Sequence, residues 1–441
     1  MGVMQKKAID AKIEVLFFMI GFFSPSSASA LPRALAGVAD PVNRTSMTEP
    51  VRCAPFSPWP SYSPDEVQAV ARVLESGKVN YWTGQEAREF EKEYAVAAGC
   101  EKGIALCNGT SALELAIYAL DIPPGSEIIT SPRTFIASAS CAVMRGCTPV
   151  LADVDPVSQN ITAATIEKVI THKTKAIIPV HLGGWPCDMD PIMDLAESHG
   201  LRVIEDCAQA SGATYKGRPV GGLGHMGAFS FCQDKIITTG GEGGMVTTRD
   251  PDWWSRAWSF KDHGKSWEAV YNRQHAPGFR WIHDSFGTNW RMTEVQAAIG
   301  RIQLRKLPEW TRLRRENLFH LNEALGAHAC IRTTPVPDGI GHAAYKAYVF
   351  VRPDRLREGW SRDRIMEEIN ARNIPCFSGS CSEIYLEKAF TEQGLGPAER
   401  LPVARELGET SLMFQIHPTL TRQNMDDAIA VCDQVLGEAS R

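Results

Sequence analysis

Apolar residues recur along this chain with two different periods. From about residue 63, short apolar runs ending at Gly, Pro or Asp alternate with longer stretches whose apolar positions fall three and four residues apart. The runs at 103–106, 127–130, 148–152, 176–180, 202–205, 228–231 and 245–247 predict strands, and the stretches at 163–170 and 190–199 predict helices between them. This alternation predicts right-handed βαβ units and a mostly parallel sheet covered by helices on both faces. Ser63-Pro64-Asp65-Glu66 predicts a helix start, with a cap, Pro at the first helical position and acids in the first turn. The stretch 294–322 predicts a long amphipathic helix, interrupted by Pro308, that leads into a smaller α+β unit built on a strand at 346–351 and a helix at 362–372. The expected class is α/β, with a large ligand-binding domain over 47–310 and a small C-terminal domain over 311–441.

Composition narrows the function. The chain has 441 residues, 44% of them hydrophobic and 22% charged, with a formal net charge of −5 and no lysine or arginine run. Nothing in that balance attracts nucleic acid or an anionic membrane surface, so a small-molecule substrate is expected. Twelve cysteines are scattered without a C-x-x-C pair, which argues against a zinc site or disulfide framework and fits buried thiols in a reducing compartment.

The first 46 residues point the other way. Lys6 and Lys7 precede an apolar run at 15–23, and Ala28-Ser29-Ala30 follows as a cleavage pattern, so the segment has the parts of a secretory signal, too short to span a membrane. The alternative is a disordered extension or a start at Met47, beyond which domain sequence begins. The cytoplasmic chemistry inferred below favours this alternative.

Three constellations carry chemistry. The run Val203-Ile204-Glu205-Asp206 is a buried strand ending on an acid. Asp206 reads either as a loop cap or as the carboxylate that keeps a pyridine nitrogen protonated, which pyridoxal phosphate (PLP) requires to accept electrons. Lys235 stands between an apolar strand and the turn Gly240-Gly241-Glu242-Gly243-Gly244, flanks that predict a recessed amine able to form a Schiff base where a lone lysine is ordinarily a surface charge. Asn108-Gly109-Thr110-Ser111 joins a strand end to a helix start, where backbone N–H groups and two hydroxyls suit a phosphate; a plain helix cap would explain one hydroxyl as well.

In order along the chain stand N-G-T-S-A-L from Asn108, P-R-T-F-I-A-S from Pro132, P-V-H-L-G-G from Pro179, V-I-E-D-C-A-Q-A-S-G-A from Val203, F-S-F-C-Q-D-K from Phe229 and G-T-N-W-R-M-T-E-V-Q-A-A from Gly287. As an ordered set these resemble the DegT/StrS family of nucleotide-sugar aminotransferases, of the aspartate-aminotransferase fold (fold type I), from about Ser63 to Val435. The resemblance implies that the large domain binds PLP. Lys235 would hold it as a Schiff base, and Asp206 would face the pyridine nitrogen. Gln209 would sit near the phenolic oxygen, Thr110, Ser111 and Ser230 would hold the phosphate, and Phe135 would stack on the ring, although a phenylalanine after a strand is ordinarily plain core. Asn289 would reach the phosphate of a neighbouring subunit, which implies a homodimer with shared active sites.

The implied reaction moves an amino group from L-glutamate to a nucleotide-linked keto-sugar, for cell-surface polysaccharide or glycan synthesis. Two other readings stand beside it: a PLP-dependent sugar dehydratase, in which relatives carry histidine where Lys235 stands, and a non-catalytic regulatory protein on the same fold. The chain departs from the family pattern at 374–385, where many relatives have a histidine-containing stretch, and at Lys346, where histidine is frequent. These positions line the sugar side in relatives.

Overall fold

The computed structural model describes residues 51–441; the signal-like segment and the candidate start at Met47 lie outside the described residues. Helix α1 (Pro64–Ser76) begins as the sequence predicts, with Pro64 at its first turn and the Glu66 carboxylate accepting from the Ser63 N–H at 2.6 Å. Then follow α2 (Glu86–Ala97), β1 (Lys102–Leu106), α3 (Gly109–Ala119), β2 (Glu127–Thr130), α4 (Ala137–Met144), β3 (Thr148–Leu151), α5 (Ala163–Glu167), β4 (Thr174–Ile178), α6 (Met189–Ser198) and β5 (Arg202–Asp206). After the short β6 (Thr214–Tyr215) and β7 (Arg218–Pro219) come β8 (Met226–Ser230), β9 (Gly244–Thr248), α7 (Pro251–Lys261) and α8 (Trp267–Tyr271).

Seven strands form one sheet in the order β1-β9-β8-β5-β4-β2-β3. Pairing is parallel from β8 to β3, and β9 runs against both of its neighbours. The alternation of side chains shows why the strands read as nearly continuous apolar runs: Ala105, Ile129, Ile177 and Val203 enter the core on one face, while Ile104, Ile128, Ile178 and Ile204 enter the core on the other. Both faces are buried, so neither parity is polar.

Helix α9 (Glu294–Leu325) is continuous, and here the expected interruption at Pro308 is corrected. Pro308 lies on the exposed side, away from the packed face, and the helix carries on through it. Its first turns put Ala298 and Ile302 against Ala69 and Val73 of α1, and its last put Leu318, Leu321 and Leu325 into a second core. The boundary expected at 310/311 thus falls inside one helix. Beyond it lie β10 (Ile331–Arg332), β11 (Ile340–Gly341), β12 (Lys346–Val351), α10 (Arg362–Ala371), β13 (Cys376–Phe377), α11 (Lys388–Thr391), α12 (Pro402–Thr410), β14 (Ser411–Gln415) and α13 (Arg422–Ala439). Strands β10-β12-β14-β13 form an antiparallel sheet, and β11 joins β6 and β7. No helix among the described residues is long and apolar enough to cross a membrane.

Candidate active site

Asp206 is the last residue of β5, and its carboxylate is 4% exposed. It accepts from the Ser138 hydroxyl at 2.6 Å and from the Ala208 N–H at 3.1 Å. The second bond is the local cap that the bland reading expects; the burial is not, because a solvated loop acid would be exposed. Burial raises the Asp206 pKa above the ordinary carboxylate range, against the hydrogen bonds from Ser138 and Ala208 and the fields of Lys235 and His181. No cation lies within ion-pair distance of it among the described residues. A buried carboxylate with hydrogen bonds but no counter-charge fits a cationic ring nitrogen as its missing partner.

The strand end is held rigid from behind. Glu205 accepts from the Gly221, Leu223 and Gly224 N–H groups at 2.9, 2.7 and 2.7 Å. His181 completes the set at 3.0 Å through Nε2, while its Nδ1 accepts from the Cys187 N–H, so the ring is a neutral donor to Glu205. His181, Glu205 and Cys207 place ligand-type atoms within 4.8 Å of one another, but Glu205 and His181 are already satisfied internally. The network anchors the strand end that carries Asp206.

Lys235 follows β8 in a turn closed by its own N–H to the Cys232 carbonyl at 3.1 Å, and its side chain is 18% exposed. It is recessed, as its apolar flanks predict. Nζ lies 3.3 Å from the Tyr345 hydroxyl and 3.6 Å from Asp234 Oδ1, and the Tyr345 hydroxyl itself donates to Asp234. Burial and the Asp234 charge push the Tyr345 pKa well up, so its proton stays on. Trp59 fixes the backbone by donating from Nε1 to the Lys235 carbonyl at 3.0 Å.

The phosphate-type cradle forms where α3 starts. Asn108, not a hydroxyl, is the cap: its side chain accepts from the Ser111 N–H at 2.8 Å, which leaves the Thr110 and Ser111 hydroxyls free of capping. Gly109 is required by proximity, because a Cβ there would stand 2.6 Å from Ser230 Cβ. Gly244 is required in the same way, since its Cβ would stand 2.3 Å from the Asn108 carbonyl. Two sequence-distant strand ends, those of β1 and β8, are thereby drawn together, and Ser230 joins Thr110 and Ser111 at the mouth of the helix. Of the four glycines in the turn, Gly240 and Gly241 adopt φ of 86° and 123°, while Gly243 and Gly244 serve close packing.

The other residues singled out by sequence divide. Gln209 is buried, with its Oε1 accepting from the Gly183 N–H at 2.8 Å. Phe135 is 68% exposed, so the plain-core alternative does not hold for it. Asn289 is exposed on the segment beside the end of β1, where the Cys107 N–H donates to the Trp290 carbonyl at 3.0 Å. The structure brings Asp206, Lys235, Gln209, Ser230, Thr110 and Ser111 to the carboxyl ends of the strands, the place where open α/β sheets bind ligands, and leaves Phe135 and Asn289 on the surface. Residue reasoning missed Ser138, Asp234, Tyr345 and Trp59. Ser138 and Asp234 sit inside quoted motifs, whereas Tyr345 and Trp59 carry no local signal.

These residues fit PLP: an uncompensated buried carboxylate, a recessed amine, and a glycine-lined cradle whose hydroxyls are not spent on capping the helix. Comparison with known proteins agrees. Residues 60–435 match the family model of the DegT/DnrJ/EryC1/StrS aminotransferase family. GDP-perosamine synthase of Caulobacter vibrioides is 38% identical over 79% of this chain and 89% of its own. The UDP-N-acetyl-3-dehydro-alpha-D-glucosamine 3-aminotransferase of Acidithiobacillus ferrooxidans is 34% identical over 82% and 91%. The X-ray structure of an aminotransferase from Psychrobacter cryohalolentis superimposes with a TM-score of 0.86 at 57% identity, covering 87% of this chain and 99% of that one. The family model and these relatives each cover most of the chain, and the chain belongs to the DegT/DnrJ/EryC1/StrS aminotransferase family.

Proposed function

We propose that this enzyme moves the amino group of L-glutamate onto a keto group of a nucleotide-linked deoxysugar, supplying amino sugars for cell-surface polysaccharide. The observation that carries the reading is Asp206, a buried carboxylate without a counter-charge that lies in the field of the recessed Lys235. PLP, when bound, supplies the electron sink that allows a C–H bond beside an amine to ionise. Lys235 Nζ would hold it and would take and return the proton at the substrate carbon. Asp206 keeps the ring nitrogen protonated, with Ser138 fixing the carboxylate's orientation. Thr110, Ser111 and Ser230 would hold its phosphate, and Gln209 and Phe135 would contact its ring.

Two of the relatives named above, GDP-perosamine synthase and the UDP-N-acetyl-3-dehydro-alpha-D-glucosamine 3-aminotransferase, are named for nucleotide-linked sugars, which supports a nucleotide-sugar acceptor. A homodimer is part of the reading, with the partner subunit's Asn289 completing each phosphate site. Exposed Phe279, Trp281 and Phe286 on the segment leading to Asn289 support it, since large apolar side chains standing in water invite cover. All twelve thiols are unpaired and eight are buried, which supports a cytoplasmic enzyme. Finding the mature protein outside the cytoplasm, starting at Leu31, would overturn that compartment.

The decisive experiment offers a panel of nucleotide keto-sugars with L-glutamate and reads the keto-to-amine mass change. An enzyme also shows a visible absorbance band that borohydride shifts and that Lys235→Ala lacks; a regulatory scaffold shows no turnover with any member of the panel.

A further inference from the structure

Lys346 opens β12 and points into the cleft between the two sheets. Alternation along the strand settles its direction: Tyr348 and Phe350, two and four residues on, pack into the core of the large sheet, while Ala347, Val349 and Val351 pack into that of the small one. Its Nζ lies 4.6 Å from the centre of the Tyr345 ring, and Lys235 Nζ lies 5.0 Å from the same centre. Two amines therefore share one aromatic ring.

Counter-charge is short here. Asp234 is the nearby acid, and it is already engaged by the Tyr345 hydroxyl and by Lys235 at 3.6 Å. Lys346 has no carboxylate within ion-pair distance and no side-chain hydrogen bond among the described residues. Arg314, fully buried, adds a second cation whose Nε and Nη2 are unpartnered. Burial, aided by Lys235 and Arg314 and opposed by Asp234, brings the Lys346 pKa down to about 8, so its charge is kept at neutral pH at a cost. A recessed, uncompensated ammonium beside the reacting lysine is a site for an anion that arrives with substrate.

We propose that Lys346 is the binding site for a carboxylate of the amino-acid donor. In an α-amino acid the carboxylate is attached to the carbon that bears the amine, so an amine delivered to Lys235 brings its carboxylate to the neighbouring ammonium. The diphosphate of a nucleotide sugar is held away from the reacting carbon by the width of the sugar ring and suits a more distant cation. This assignment rests on the aminotransferase reading and deepens it, by placing the donor on the β12 side of Lys235.

The test uses the PLP-loaded protein and two unreactive probes, glutarate, which is glutamate without its amine, and UDP. Calorimetric titration of each into wild type, Lys346→Gln and Lys346→Arg separates the two anions. Expected is a loss of glutarate affinity of about tenfold or more in Lys346→Gln, recovery in Lys346→Arg, and UDP binding within about twofold throughout. Steady-state kinetics then show a KM for glutamate raised by a similar factor. Unaltered glutarate binding in Lys346→Gln overturns the proposal, and so does a loss confined to UDP. The glutarate result stands whether or not glutamate proves to be the donor in turnover. A failure of the aminotransferase reading shows instead as an absence of amino transfer in wild type.

Discussion

The Ser138 hydroxyl donates to the Asp206 carboxylate at 2.6 Å, tying the second residue of α4 to the last residue of β5. Asp206→Asn is expected to lower amino transfer by orders of magnitude, because an unprotonated pyridine is a poor electron sink. Ser138→Ala leaves the carboxylate in place and is expected to cost about tenfold. Steady-state rates with glutamate check both; near-normal rates in Asp206→Asn would make the residue a structural cap.

The same acid has a signature in stability. Its pKa is raised on folding, so the cofactor-free folded protein holds this proton more tightly than the unfolded chain does. The resulting stability is full below the unfolded carboxylate pKa of about 4 and is lost as pH rises through the folded value. Asp206→Asn removes that loss. Cofactor-free Asp206→Asn is therefore expected to be at least as stable as wild type at pH 7.5, with its advantage shrinking at acidic pH. Urea midpoints at the two pH values measure this, and a variant less stable at pH 7.5 would contradict it.

Lys235→Ala is expected to abolish amino transfer, a fall of roughly three orders of magnitude or more, while the protein stays folded. The side chain is partly exposed and its removal leaves Asp234 still bonded to Tyr345, so no charge is stranded in the core. Turnover and a circular-dichroism melt together distinguish lost chemistry from lost structure.

Gly109→Ala tests the phosphate cradle by volume alone. The added methyl would stand 2.6 Å from Ser230 Cβ, so the start of α3 and the end of β8 must part. A destabilisation of about 1–3 kcal/mol is expected, along with PLP affinity weaker by about tenfold or more. Equilibrium dialysis of the cofactor and thermal unfolding of the cofactor-free protein report the two separately. Unchanged PLP affinity would place the phosphate elsewhere.

Phe286 is 97% exposed and Trp281 81%. Phe286→Asp and Trp281→Asp are expected to leave the fold of each protomer intact and to shift sedimentation from dimer toward monomer, with a parallel fall in activity because the partner subunit's Asn289 is withdrawn. A wild type that sediments as a monomer, or variants that remain fully dimeric, would remove these side chains from the interface.

The sequence by itself marked the seven strands of the large sheet, the strand at 346–351 and several of the helices, because strand and helix each impose a local period on apolar residues. Ile128 and Ile129 enter opposite cores as alternation requires, and the long helix was legible even through Pro308, although its continuity was not. The sequence also marked Asp206, Lys235 and the Asn108–Ser111 turn, since an acid, a lysine and a glycine at strand ends are conspicuous where apolar residues are the rule. Only the tertiary structure decided their partners. Tyr345 reaches Lys235 across 110 positions of chain, Trp59 reaches it across 176, and Ser230 meets Gly109 because two strand ends are drawn together in one sheet. The direction of Lys346 was likewise set by the seating of β12 between two cores, a relation between distant segments that has no period along the chain.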